Sequence, residues 1–145
     1  MPLISVHAWY LDTDPAGQLI GTWFALEDIH PDCGPFYVYP KSHHLGLIDR
    51  EKFPNHESFV KEIFNVIAED KYKKHQLTVN KGDLILWHPF LIHGANKCQD
   101  ESKSRKSFTS HFYPLNQIAK DTEKNKIISI YDHKNPKYTH NPNIL

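Results

Sequence analysis

The stretch from Gly82 to Asn96 places two short apolar segments on either side of a proline. Leu84 to His88 is a hydrophobic run of strand length that follows a turn sequence. Pro89 ends this run, because proline cannot donate to the middle of a sheet ladder. Leu91 to Ala95 predicts a second short strand.

Turn residues and prolines also mark the ends of short apolar segments along most of the rest of the chain. Strands are predicted over 4–11, 19–26, 36–39, 76–79, 84–88, 91–95 and 105–113, with a further one over 126–131. The segment 19–26 is nearly continuously apolar, which predicts that both of its faces are covered. Apolar residues recur at helical spacing from Asn55 to Asp70, so one amphipathic helix is predicted, with Asn55 as its N-cap. This pattern predicts an antiparallel sandwich or barrel.

Length and composition limit the domain count and the classes of partner. The 145 residues fit one domain, which we place at 1–118, with a C-terminal extension at 119–145. Zero net charge argues against a nucleic-acid partner, and the lack of a long apolar run argues against a membrane partner. Two cysteines make no disulfide framework, and we find no signal peptide, so a reducing, cytoplasmic location is predicted.

Arg105 is one of only two arginines in a chain whose positive charge comes almost entirely from lysine. Its planar guanidinium can bind a carboxylate with two parallel hydrogen bonds, which lysine cannot imitate. Ser107 lies two residues further on, on the same face of a strand, and His93 is on the preceding strand. These three side chains can hold a metal and a carboxylate ligand together. A buried structural histidine and a surface arginine would give the same spacing, so both interpretations stay open.

Five segments occur in an order that resembles the phytanoyl-CoA dioxygenase-like (PhyH) family. They are Trp23-Phe-Ala-Leu-Glu-Asp28, Gly34-Pro-Phe-Tyr-Val-Tyr-Pro-Lys-Ser-His43, Gly82-Asp-Leu-Ile-Leu-Trp87, Ile92-His-Gly-Ala-Asn96 and Arg105-Lys-Ser107. The resemblance covers roughly residues 5 to 114. That family consists of non-haem Fe(II), 2-oxoglutarate-dependent oxygenases. The resemblance therefore implies a mostly β double-stranded β-helix (a cupin-like jelly roll) with one external helix, the cofactors Fe(II) and 2-oxoglutarate, and a small organic or lipid-like substrate.

The resemblance also implies roles for individual residues. His93 resembles the distal iron ligand. Arg105 resembles the residue that grips the far carboxylate of 2-oxoglutarate, with Ser107 assisting. Trp23 resembles a tryptophan in the pocket wall beside this cosubstrate.

The first ligand pair of the family, His-x-Asp, is not matched. An ungapped frame puts Ser5 at the histidine position and His7 at the aspartate position. A shift of two residues makes His7 the histidine and puts Trp9 at the aspartate position. Both frames place His7 near the metal, and both lack the carboxylate. We therefore predict His7 and His93 as the metal ligands, and we expect weak Fe(II) binding and slow or absent turnover of 2-oxoglutarate.

Three functions remain open at this point. The first is an Fe(II)/2-oxoglutarate oxygenase domain of this family. The second is a non-catalytic β-roll that binds a small carboxylate, and the third is a cupin-like metal protein of another reaction class. Seven strands precede Pro114, one short of an eight-stranded roll, and the family's N-terminal region is not seen. We expect a fragment, a misplaced start or a reduced form.

Overall fold

The computed structural model describes residues 3–5, 13, 15–69 and 72–114. The chain divides into two compact units, Met1–Phe112 and Tyr113–Leu145, and the elements below belong to the first. They are β1 (Leu3–Ser5), β2 (Ile20–Ala25), β3 (Phe36–Val38), α1 (His56–Glu69), β4 (His75–Gln76), β5 (Leu84–Trp87), β6 (His93–Ala95) and β7 (Ser107–Phe112), with 3-10 turns at Ser42–Leu45 and Arg50–Lys52. The predicted strand over 126–131 lies outside the described residues, and the domain boundary at 118 stays a prediction.

The strands form two antiparallel sheets. One sheet has the order β1-β6-β3-β4, and the other has the order β5-β2-β7. Strands distant in sequence therefore lie side by side, because β2 pairs with both β5 and β7. The predicted mostly β, antiparallel architecture is confirmed.

A cluster of buried side chains lies between the two sheets. Trp23 of β2 and Trp87 of β5 belong to the three-stranded sheet, and Phe36 of β3 belongs to the four-stranded sheet. All three side chains are less than a tenth exposed. The inner faces of the two sheets therefore share one apolar core, as in other sandwiches.

Helix α1 packs on the opposite face of the four-stranded sheet. Tyr37 follows Phe36 on β3, so its side chain points to the other face, where it joins a buried cluster with Phe59 and Ile63 of α1. The side chain of Asn55 accepts a hydrogen bond from the backbone N–H of Ser58 at 2.9 Å, which makes it the N-cap. The predicted external helix and its cap are both confirmed. No helix within the described residues is long and apolar enough to cross a membrane.

The outer face of the three-stranded sheet is apolar and exposed. Its large side chains are 37–62% exposed; they are Ile20, Phe24, Leu84, Leu86, Phe108 and Phe112. The prediction that both faces of the segment 19–26 are covered is therefore wrong. Alternation turns Trp23 and Ala25 into the core and leaves Ile20 and Phe24 outside. An apolar run in sequence cannot show whether a second layer packs on its outer side.

Candidate functional site

His93 begins β6 and is buried, with only 5% of its surface exposed. Its ring lies 5.5 Å from the ring of Phe36, nearly parallel to it, and 5.3 Å from the ring of Trp87, measured between centroids. Burial lowers the pKa of His93 to about 4; a hydrogen bond to the Leu91 carbonyl raises it in part, and nearby His111 lowers it further. His93 is therefore a neutral imidazole at neutral pH.

The hydrogen bond to Leu91 also determines which nitrogen of His93 carries the proton. Nδ1 lies 2.7 Å from the Leu91 carbonyl oxygen, which can only accept, so Nδ1 is the N–H donor. The lone pair of the neutral ring is then on Nε2. Metal-binding histidines use this arrangement, in which a carbonyl holds one nitrogen and the other binds the ion. The chemistry of His93 thus fits its predicted role as a ligand.

The neighbouring strand β1 brings the start of the chain next to His93. Ser5 is the direct cross-strand partner of His93, and Val38 of β3 is its partner on the other side. Ser5 is also the residue that the ungapped frame placed at the first histidine position of the family. His7 itself lies outside the described residues, and its role as a metal ligand stays a prediction.

The described residues do not complete an iron site. No group of three or more histidine, cysteine, aspartate or glutamate side chains converges within the part of the chain that the structure describes. His93 supplies one suitable imidazole, whereas the family's iron site needs a second histidine and a carboxylate. The donor set of the described residues therefore fits one ligand position of the metal.

Trp23 is buried in the same aromatic surroundings as His93. Its ring lies 6.1 Å from Phe36, which in turn stacks on His93. We call Trp23, Phe36, Trp87 and His93 the aromatic cluster. Sequence reasoning included Phe36 and Trp87 in the family segments but gave them no role. Their contact with His93 follows from pairing between strands that are distant in sequence, which no local pattern reveals.

Arg105 lies just before β7 and is half-buried. Its Nη1 donates a hydrogen bond to the carbonyl oxygen of Gly34. Gly34 has a positive φ of 74°, and a Cβ there would lie 2.8 Å from the carbonyl oxygen of Asn96. Only glycine therefore lets the chain carry this carbonyl so close to the neighbouring segment.

A cleft of about 500 Å³ opens beside Arg105, and we call it the Arg105 cleft. Lys97 and Lys103 also line it, so three cationic side chains face one space. Lys103 lies 3.2 Å from a carboxylate oxygen of Asp100 and 3.7 Å from one of Asp32, so part of this charge is already paired. The remaining positive charge suits a small carboxylate ligand.

The predicted site residues fall into two neighbouring groups. His93, Trp23 and Ser107 do not line the Arg105 cleft, and Ser107 lies opposite Ala25 on β2. The two groups are joined through one short segment, because Gly34 binds Arg105 and Phe36, two residues later, stacks on His93.

His111 is a functional candidate that the sequence reasoning did not select. It lies on β7 opposite Gly21, is half-buried, and has its pKa lowered by burial. It is close enough to His93 to lower the pKa of that residue as well. Alternation along β7 puts it on the face of Arg105 and Ser107, and this was the available signal.

Comparison with known proteins shows which family the chain belongs to. The model of the phytanoyl-CoA dioxygenase (PhyH) family matches residues 6–107. The chain belongs to this family. Human peroxisomal phytanoyl-CoA dioxygenase is 31% identical over 106 residues, which are 71% of this chain and 30% of that protein. A Caenorhabditis elegans homologue of phytanoyl-CoA dioxygenase domain-containing protein 1 is 26% identical over 111 residues, or 73% of this chain and 38% of that protein. This PhyH-family chain thus spans about a third of the length of these relatives.

Solved structures show the same fold. EctD from S. alaskensis, solved with 2-oxoglutarate and 5-hydroxyectoine, has a TM-score of 0.58 at 19% identity and covers 80% of this chain and 39% of its own. The epimerase SnoN from nogalamycin biosynthesis has a TM-score of 0.56 at 18% identity, with 77% and 38% covered. These likenesses confirm the predicted jelly roll for this PhyH-family chain.

Proposed function

We propose that this chain is the core of an Fe(II)- and 2-oxoglutarate-dependent oxygenase that acts on a small organic or lipid-like substrate. The observation that carries the proposal is His93, a buried neutral imidazole whose Nδ1 is held by a backbone carbonyl, on β6 of a PhyH-family jelly roll. Solved relatives of the same fold contain 2-oxoglutarate or Fe3+ with α-ketoglutarate. We keep the cytoplasmic location as part of this proposal.

Five residues of the chain have definite tasks in this proposal. His93 presents Nε2 to the iron, and His7 is the second imidazole. Arg105 binds the distal carboxylate of 2-oxoglutarate, with Ser107 assisting, and Trp23 forms the wall beside this cosubstrate. When bound, Fe(II) with 2-oxoglutarate as co-reductant would activate O2, and O2 would be the oxidant for a substrate C–H bond. The aromatic cluster fixes the ring of His93 and keeps water from that side of it.

The missing carboxylate sets the expected strength of the metal site. Two neutral imidazoles leave the charge of Fe(II) uncompensated by the protein, so iron should bind weakly. Zn(II) or Ni(II) should displace it, because both stand above Fe(II) in the usual order of affinity. Turnover of 2-oxoglutarate by this chain should then be slow.

A second candidate function is a non-catalytic β-roll that binds a small carboxylate. The observation that favours it is the absence of a three-ligand group among the described residues. The cationic Arg105 cleft would then be the binding site, and no metal would be needed. The two candidates differ in whether ligand binding depends on His93.

The test measures iron content and 2-oxoglutarate decarboxylation for the chain and for His93→Ala. His75→Ala is the matched control, because His75 is an exposed histidine on β4. We expect His93→Ala to lose iron and decarboxylation while His75→Ala keeps both. Equal iron content in His93→Ala would contradict the proposal. Binding of 2-oxoglutarate without any decarboxylation would select the second candidate.

A further inference from the structure

The two cysteines of the chain lie directly opposite each other on adjacent segments. Cys33 and Cys98 form an antiparallel bridge that continues the register of β3 and β6. A backbone hydrogen bond from Gln99 to the Asp32 carbonyl at 2.7 Å lies one position from the pair, and one from Asn96 to the Pro35 carbonyl at 3.0 Å lies two positions from it on the other side. The N–H of Cys33 donates to the His30 carbonyl and not to Cys98. The Gln99 bond and the local bond of Cys33 are features of a non-hydrogen-bonded pair.

Such a pair has the spacing that a disulfide requires. In non-hydrogen-bonded antiparallel pairs the Cα atoms are about 4.5 Å apart and both side chains leave the same face. Disulfides span Cα separations of about 4.4–6.8 Å. The pairing therefore brings Cys33 and Cys98 within the usual range of Cα separations for a disulfide.

Both cysteines are free thiols, and each is held by a weak hydrogen bond. The sulfur of Cys33 donates to the His30 carbonyl at 3.0 Å, and that of Cys98 donates to the Asp100 carbonyl at 3.3 Å. Rotation about the Cα–Cβ bonds would turn the two sulfurs toward each other. Cys33 is 4% exposed, whereas Cys98 is half-buried, and both line the Arg105 cleft. A small oxidant that enters the cleft therefore reaches Cys98 first.

We propose that Cys33 and Cys98 are a redox pair that closes to a cross-strand disulfide when the chain meets a peroxide. The Cys98 thiolate attacks one oxygen of hydrogen peroxide, the O–O bond breaks, and one water leaves after protonation. The resulting sulfenic acid is attacked by the Cys33 thiol, the S–O bond breaks, and a second water leaves. Two thiols lose two electrons and two protons while one peroxide becomes two waters. A dithiol reductant reverses the change.

The disulfide would act on the backbone that holds Arg105. Gly34, whose carbonyl accepts the hydrogen bond of Arg105, immediately follows Cys33. A bond from Cys33 to Cys98 would tie this segment covalently to the adjacent one, and both cysteines line the cleft. We therefore expect the disulfide to restrict movement of the Gly34 carbonyl that accepts the hydrogen bond of Arg105. This inference is independent of the proposed iron chemistry.

The bond would also close a long loop. Sixty-five positions separate Cys33 from Cys98. Closing a loop of this length restricts the unfolded chain and should raise the thermal midpoint by on the order of 10 °C. Reduction should return the midpoint to its starting value.

The experiment treats the full 145-residue chain with hydrogen peroxide and then with dithiothreitol. We expect the intact mass to fall by two hydrogens, a proteolytic peptide to link Cys33 with Cys98, and the thermal midpoint to rise reversibly. Cys98→Ser should show none of these changes. The linked peptide is detected in the unsubstituted chain, so the test does not depend on how Cys98→Ser folds. Oxidation of Cys98 to a sulfinic acid with Cys33 still a thiol, or a disulfide between two chains, would overturn the proposal.

Discussion

Burial of His93 should make the folded chain sensitive to mild acid. Its side chain is 5% exposed, and burial lowers its pKa to about 4 from the ordinary value of 6.5. Between these two values the unfolded chain binds more protons than the folded chain, so the free energy of unfolding falls as the pH falls from 6.5 toward 4. The full difference corresponds to about 3 kcal/mol, of which about 2 kcal/mol is lost between pH 7 and pH 5.

The assay is urea unfolding at pH 7 and pH 5, followed by tryptophan fluorescence. Trp23 and Trp87 are both 5% exposed in the core, so their emission reports loss of the sandwich. His93→Gln removes the titrating group, and His75→Gln removes an exposed histidine instead. His111 titrates in every variant, so comparing the variants isolates the contribution of His93.

The expected result is a loss of stability on acidification that is about 2 kcal/mol smaller in His93→Gln than in the other two proteins. The ring proton resonances of His93 in the unsubstituted chain give its pKa directly, should His93→Gln fold poorly. An equal loss in all three proteins, together with a pKa of His93 above 6 in the folded chain, would refute the reasoning.

Three further predictions concern other parts of the molecule. Arg105→Lys should weaken 2-oxoglutarate binding by roughly 1.5–3 kcal/mol, because a two-pronged contact is lost; unchanged affinity in calorimetry would argue against this role. Asn55→Ala removes the cap on the N–H of Ser58 and should lower the unfolding free energy by about 1 kcal/mol, whereas an unchanged value would show that the cap contributes nothing. Phe108 is 61% exposed, so Phe108→Ser should change stability by less than about 0.5 kcal/mol yet reduce binding of a hydrophobic dye; a large loss of stability would show that this face is covered.

Much of the fold was predictable because turn residues and prolines mark the ends of short strands. All seven strands predicted before Pro114 have a counterpart in the same order, and the helix begins one residue after its predicted cap, Asn55. The strand predicted over 76–79 is shorter in the structure, His75–Gln76. Val79 instead accepts a hydrogen bond from Ile29 in a connecting segment. Strand propensity does not show where pairing stops.

The candidate site was predictable only in part, because its contacts depend on which strands pair. His93 was found from its position among apolar residues and from the family resemblance, but its ring neighbours Phe36 and Trp87 come from β3 and β5. Cys33 and Cys98 likewise form a cross-strand pair because of the register of β3 and β6. These are long-range pairings, and a local pattern of residues does not contain them. The family could therefore be predicted from the resemblance, whereas the contacts in the candidate site could be seen only once the strand pairing was known.

Anaerobic titration of the chain with Fe(II) and 2-oxoglutarate tests the central claim most directly, because chelation of 2-oxoglutarate to ferrous iron gives a visible charge-transfer band. We predict that the band appears with the unsubstituted chain and with His75→Ala, is absent in His93→Ala, and needs more 2-oxoglutarate in Arg105→Lys. A band of equal intensity in His93→Ala, or no band in the unsubstituted chain at saturating Fe(II) and 2-oxoglutarate, would contradict the assignment of the metal to His93.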